Sequence, residues 1–83
     1  MTANEIRAAV KGYLLDEFLP GEDPATLSDD TPLITGKVID SIAALKLVTF
    51  LEEHFGIQVE AHEADFDHLD TIARIVRFVE SKR

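Results

Sequence analysis

Cysteine is absent from this 83-residue chain, which also has only four glycines, three prolines and no tryptophan. Without cysteine there can be no disulfide framework, no thiolate nucleophile and no Cys-ligated zinc site. Since 46% of the residues are hydrophobic, a folded globule is expected. Apolar runs of membrane-spanning length and a basic-then-apolar leader are also lacking, so we expect a soluble, cytoplasmic protein that does not enter membranes.

Basic residues are scarce in the middle of the chain. From Asp16 to Asp70 there are fourteen Asp or Glu residues but only two bases, Lys37 and Lys46, a formal charge of −12. This charge would repel a phosphate backbone, so nucleic acid is not an expected partner. Basic protein surfaces are expected partners because complementary fields speed encounter, although acidity also keeps a small protein soluble.

The length of the chain allows one modest core, so residues 1–83 are predicted to form a single domain. A domain of this size rarely encloses a complete catalytic set, and no nucleophile–base pair is evident in the sequence. The spacing of His54, His62 and His68 places no two of them three or four residues apart on one helix. We therefore predict no enzyme, no catalytic residue and no metal site.

Hydrophobic periodicity predicts three main helices and no strand. The first extends from about Ala3 to Phe18. The second begins at Asp40 or Ser41 and ends at Gly56. The last extends from about Thr71 to Ser81, with Asp70 as its candidate N-cap, and a further helical turn is predicted around Glu63 to Phe66. The predicted fold is all-α, a small three-to-four-helix bundle with a long loop between helices 1 and 2.

The apolar stripes of these helices define the predicted core. It consists of Val10, Leu14, Phe18, Leu47, Val48, Leu51, Phe55, Ile72, Ile75, Val76 and Val79. Ile42 and Leu45 extend the apolar character of the second helix beyond its stripe. The first half of that helix is therefore either wholly buried or part of a contact surface.

The stretch from Leu19 to Ile39 has no helical periodicity over 21 residues. Connections longer than about 12–15 residues are usually functional or disordered. This one contains apolar residues that could pin it across the bundle, namely Leu27, Leu33, Ile34, Val38 and Ile39. It is followed directly by the pair Asp40–Ser41, at the start of the second helix.

Asp40 and Ser41 are both favoured N-cap residues, each worth about 1 kcal/mol in that role. A serine that performs its own chemistry also needs a base within hydrogen-bond reach. His54 lies roughly 20 Å along the helix axis at 1.5 Å per residue. Ser41 is therefore either a cap or a residue that another protein modifies.

The surrounding motifs favour modification. Gly36 precedes Asp40-Ser41-Ile42, "DDTPL" lies in the long loop, and "LEEHFGI" ends the second helix. Together these features resemble the acyl carrier protein family, whose hallmark is an Asp-Ser-Leu-like triplet at the start of its second helix. The likeness covers nearly the whole chain, and it implies a bundle of the acyl-carrier-protein type.

The resemblance implies that Ser41 carries a covalent 4′-phosphopantetheine arm taken from coenzyme A, and that Asp40 assists its attachment. A separate phosphopantetheinyl transferase would supply the general base and Mg²⁺. The thiol of the arm would hold a thioester for adenylating ligases, acyltransferases or synthases, and the carrier is expected to be a monomer. The positions matching the family's partner-binding face are Ile42, Leu45, Lys46, Thr49, Glu52 and Glu53.

Two departures from the fatty-acid-synthesis pattern bear on the pathway. Lys46 stands where those carriers usually have an acid, and "VIDSI" with "ADFDHLDTI" resembles discrete, ligase-fed carriers such as D-alanyl carrier proteins. We therefore expect a carrier of acyl or aminoacyl groups in a specialised pathway. The alternatives are a housekeeping fatty-acid-synthesis carrier and an acidic helical interaction module without a prosthetic group.

Overall fold

The computed structural model describes residues 2–23, 25 and 27–83, with Phe66 described by its backbone alone. The described part contains helices and no strand, as predicted. The helices are α1 (Ala3–Phe18), α2 (Ser41–Phe55), α3 (Phe66–Leu69) and α4 (Ile72–Lys82), with a 3₁₀ turn at Ala61–Glu63 before α3. The predicted single turn around Glu63 to Phe66 is thus two short helical elements.

Local capping explains where the long helices begin and end. Thr2 caps α1 through a reciprocal pair of hydrogen bonds with Glu5. Asp40 caps α2, which ends at Gly56 in the left-handed conformation with φ 66°.

No helix in the described part of the chain is long and apolar enough to span a membrane.

The predicted cap of α4 is wrong. The side chain of Thr71, not that of Asp70, accepts the hydrogen bond from the Arg74 N–H, at 3.1 Å. Threonine is itself a good N-cap. The Asp70 carboxylate instead accepts hydrogen bonds from the loop that precedes α2.

The core lies between α1, α2 and α4, and α1 packs directly against α4. Eight of the eleven predicted core residues are buried; the exceptions are Phe18, Val48 and Phe55, which are half-buried at its edge. Half of the buried residues outside the predicted set come from the connections between helices, and the other half lie on the helices themselves. The buried residues outside the predicted set are Ile6, Leu27, Leu33, Ile39, Ala43, Ile57, Leu69 and Phe78.

The long loop between α1 and α2 is pinned across the bundle, as predicted. Leu27, Leu33 and Ile39 are buried, and Ile34 and Val38 pack against the core. Polar contacts add to this anchoring at Asp29. Its carboxylate lies 2.8 Å from Arg7 Nε on α1, and its carbonyl accepts the Ala73 N–H of α4. The loop therefore brings its final residues to a fixed place beside the bundle.

Candidate functional site

At the start of α2, Asp40 caps the helix and Ser41 is exposed to solvent. Asp40 Oδ1 accepts the Ala43 N–H at 2.8 Å, so the cap is Asp40. Ser41 is the first helical residue and is exposed. Among the described residues, none forms a hydrogen bond with its hydroxyl. The serine hydroxyl is thus left accessible to another molecule.

The turn before Asp40 requires a glycine. A Cβ at Gly36 would lie 2.3 Å from the backbone oxygen of Pro32, closer than real Cβ atoms approach backbone atoms. Immediately after it, Lys37 adopts a φ of 60°, the left-handed region. The Leu33 carbonyl then accepts the N–H groups of both Val38 and Ile39, at 2.8 and 2.9 Å. These contacts set the direction in which the chain enters α2.

An apolar groove of about 380 Å³ opens beside Ser41. It lies between α2, the loop before it and the segment before α3, and it is lined by Ile34, Ser41, Ala44, Leu45, Val48, Ala64 and Asp65. Asp65 is its one acidic group, and a hydrogen bond from His68 lowers the pKa of this carboxyl. A flexible arm joined at Ser41 would therefore find a largely apolar surface next to its point of attachment.

In the part of the chain that the structure describes, no residue forms a hydrogen bond with the Ser41 hydroxyl that would activate it as a nucleophile. The described residues hold no cluster of His, Asp or Glu able to bind a metal ion. His54 lies in the last turn of the same helix, where its ring stacks on Phe50 with the ring centroids 5.0 Å apart. Any chemistry at the Ser41 hydroxyl must therefore be supplied by another protein.

The outer face of α2 carries exposed apolar side chains. Ile42 and Leu45 are 67% and 65% exposed, the large hydrophobic residues of the described chain that face water most fully. Lys46, Thr49 and Glu53 are exposed alongside them. The structure thus brings five of the six predicted partner-facing residues to the exposed part of α2 that follows Ser41.

Glu52 differs from this group. It is half-buried, and its Oε2 accepts the Val59 N–H at 3.1 Å. This contact ties the end of α2 to the segment that leads toward the groove. Glu52 therefore has an internal structural role that its place in the sequence did not reveal.

Comparison with known proteins identifies the family of this chain. The family model described as "Phosphopantetheine attachment site" matches residues 19–79, nearly three quarters of the chain. The chain belongs to this family. It is therefore a carrier protein with a covalently attached 4′-phosphopantetheine, and it is not itself a catalyst. This identification replaces the alternative of an interaction module without a prosthetic group.

Two curated relatives match over nearly their whole length. The chain is 30% identical over 78 residues to an acyl carrier protein of Thermotoga maritima, covering 94% of this chain and 91% of the relative. It is 33% identical over 81 residues to D-alanyl carrier protein 1 of Lactiplantibacillus plantarum, covering 98% of each. In this family the partners are phosphopantetheinyl transferases and the ligases or synthases that use the arm.

The residues present fit the prosthetic group. An exposed serine hydroxyl at a helix N-terminus suits a phosphodiester, because the helix dipole favours negative charge there. When attached, the arm supplies a terminal thiol that can hold a thioester, a group that this cysteine-free chain cannot itself provide.

Proposed function

We propose that Ser41 is the single attachment site of the phosphopantetheine arm. The observation that carries this proposal is the free, exposed Ser41 hydroxyl next to a separate capping residue, Asp40. Because Asp40 accepts the Ala43 N–H, it fixes the first turn without using the serine. Asp40 thereby assists attachment by orienting Ser41 toward the transferase, which brings its own base and Mg²⁺.

The other two serines offer matched controls. Ser28 lies in the loop and is 3.0 Å from the Thr31 hydroxyl, and Ser81 donates to the Phe78 carbonyl. We expect wild-type protein, Ser28→Ala and Ser81→Ala each to gain the mass of one arm with a phosphopantetheinyl transferase and coenzyme A. Ser41→Ala should stay folded and gain nothing, as measured by intact mass and circular dichroism. Gain of the arm by Ser41→Ala would contradict the proposal.

The cargo is proposed to be an acyl or aminoacyl group loaded by a ligase in a specialised pathway. Lys46 on the exposed face of α2 and the similarity to a D-alanyl carrier protein support this choice. The similarity to the Thermotoga maritima acyl carrier protein keeps the housekeeping fatty-acid carrier as the alternative.

The carrier isolated from its own cells would distinguish these two functions. Intact mass is measured before and after hydroxylamine, which cleaves thioesters and so reveals the mass of the cargo. A small amino acid released as its hydroxamate, with the free thiol left on the arm, would support ligase loading. A set of fatty-acyl masses differing by two-carbon units would favour the housekeeping alternative.

The exposed face of α2 is the proposed docking surface for these enzymes. Ile42 and Leu45 lie within the first turns after Ser41, so an enzyme acting on the arm meets them first. Exposed apolar side chains supply contact area, and the charges of Lys46 and Glu53 orient the partner. Glu52 is placed at the margin of this surface because its carboxylate is engaged by Val59.

A further inference from the structure

Asp70 is the only buried charged residue in the described part of the chain, at 8% exposure. It precedes α4 but does not cap it, since Thr71 does. Its Oδ1 accepts the N–H groups of Ile34 and Thr35, and its Oδ2 accepts the Thr35 hydroxyl, each at 2.9 Å. The Asp70 carbonyl also accepts the Leu33 N–H at 2.6 Å. Four hydrogen bonds thus fasten residues 33–35 to the start of α4.

Burial of a carboxylate is unfavourable unless hydrogen bonds replace the lost water. Burial raises the pKa of Asp70, but hydrogen bonds from Thr35 and Ile34 and the nearby charge of Arg74 outweigh this, and the pKa is lowered overall. The carboxyl is therefore ionised at neutral pH. Hydrogen bonds to an ionised acceptor are roughly twice as strong as neutral ones.

A short series of contacts connects this carboxylate to the first turn of α2, which contains Ser41. The Leu33 carbonyl, on the fastened segment, accepts both Val38 N–H and Ile39 N–H. Ile39 is buried and immediately precedes Asp40, the cap of α2. Removal of the Asp70 side chain would break the three bonds to Ile34 and Thr35 and leave the main-chain bond to Leu33. The turn that leads from Leu33 to the entrance of α2 would thereby lose its side-chain support.

We propose that Asp70 is a positioning residue for transfer of the phosphopantetheine arm. By holding Ile34 and Thr35 its side chain keeps the entrance of α2 in the geometry that the transferase requires. Asp70 contacts no reacting atom; it acts through the turn of residues 34–39, which leads to Asp40. This inference rests on the proposed function, in which Ser41 is the acceptor.

The kinetic test compares Asp70→Ala with a variant that weakens the fold elsewhere. Val79→Ala serves as that control because Val79 is a fully buried residue more than two turns further along α4. Each protein is assayed with transferase and coenzyme A at a temperature where it remains folded. We expect Asp70→Ala to lose about ten- to a hundredfold in kcat/KM, the effect of a displaced reacting group, and Val79→Ala to keep its rate.

Two conservative variants separate positioning from bulk stability. In Asp70→Asn the amide oxygen can accept both backbone N–H groups and the NH₂ can donate to the Thr35 hydroxyl. It should therefore recover most of the rate. Thr35→Val removes one hydrogen bond and should give a smaller loss than Asp70→Ala. If Asp70→Ala does not fold, the test depends on the two conservative variants alone. A wild-type rate of arm transfer in Thr35→Val, together with a reduced rate in Asp70→Asn, would then overturn the proposal.

Amide hydrogen exchange gives a readout that does not depend on the arm. In Asp70→Ala, the N–H groups of Val38, Ile39 and Ala43 should exchange faster relative to those of α4. In Val79→Ala, both sets should change together. Unchanged relative protection in Asp70→Ala, or equal transferase kinetics in the two variants, would overturn the inference. Absence of modification at Ser41 in wild type would instead refute the proposed function, while the exchange comparison would still decide whether Asp70 holds the entrance.

Discussion

Leu51 and Leu45 lie on the same helix and offer a direct test of which face of α2 is buried. Leu51 has 0% exposure, whereas Leu45 is 65% exposed. Substituting each by alanine removes the same atoms from opposite environments. Only the change at Leu51 should reduce the free energy of unfolding substantially.

The magnitude follows from the burial. Leucine to alanine removes about three methylene equivalents, at about 0.8 kcal/mol each when buried, or about 2.4 kcal/mol. The cavity that remains adds to this, and measured losses for buried leucines are about 2.7–5.0 kcal/mol. We expect about 3 kcal/mol for Leu51→Ala, a large share of the roughly 5–15 kcal/mol that holds a small domain folded.

Urea unfolding followed by far-ultraviolet circular dichroism measures both variants. Leu51→Ala should shift the midpoint without changing the slope, because the surface exposed on unfolding is nearly the same. Its melting temperature should fall by roughly 12–24 °C, at 4–8 °C per kcal/mol for a domain of this size. Leu45→Ala should stay within about 0.5 kcal/mol of wild type. Equal losses in the two variants would show that the phase assigned to α2 is wrong.

Three further outcomes are expected. Gly36→Ala should lose about 1–3 kcal/mol in urea unfolding because its Cβ would lie 2.3 Å from the Pro32 oxygen. Gly12→Ala, whose added Cβ would meet no atom within 4 Å beyond the adjacent residues and the backbone of its own helix, should be neutral or stabilising, and equal effects would contradict the close approach at Gly36. The folded-state pKa of Asp70 lies below its ordinary value of 3.8, so its stabilising contribution is present above that pH and is lost as pH falls through the folded value. The stability difference between wild type and Asp70→Ala should therefore narrow between pH 7 and pH 3, and a constant difference in urea midpoints would refute this. Lys46→Glu should raise the KM of the cognate ligase and improve use by fatty-acid-synthase enzymes, with effects that weaken in salt. Loading kinetics at low and high salt would measure this. If neither Lys46→Glu nor the salt concentration changes the loading rate, Lys46 does not belong to the proposed docking surface.

The helices were predictable because their signals are local. Pro20 follows α1 closely, and both Asp40 and Gly56 mark the ends of α2 in the sequence itself. The Asp40–Ser41 pair could also be found from its spacing to the neighbouring motifs. Sequence left open whether the apolar first half of α2 was buried, and the structure answers this by exposing Ile42 and Leu45.

Contacts between distant segments were not predictable. The residue type and position of Asp70 are those of an N-cap. Its hydrogen-bond partners, Ile34 and Thr35, lie 36 and 35 residues away in the sequence. The internal contact of Glu52 was hidden for the same reason, since Val59 lies beyond the end of its helix. Hydrophobic periodicity describes one helix at a time and carries no information on which segments meet.

The exposure of Ile42 and Leu45 has a consequence for how copies of this protein behave toward one another. An uncovered apolar patch favours association of identical molecules as readily as it favours an enzyme. The net charge of −8 opposes this, because two copies of the chain repel each other while a basic enzyme is attracted. The acidity that we propose attracts partner enzymes would thus also oppose association of two copies through Ile42 and Leu45.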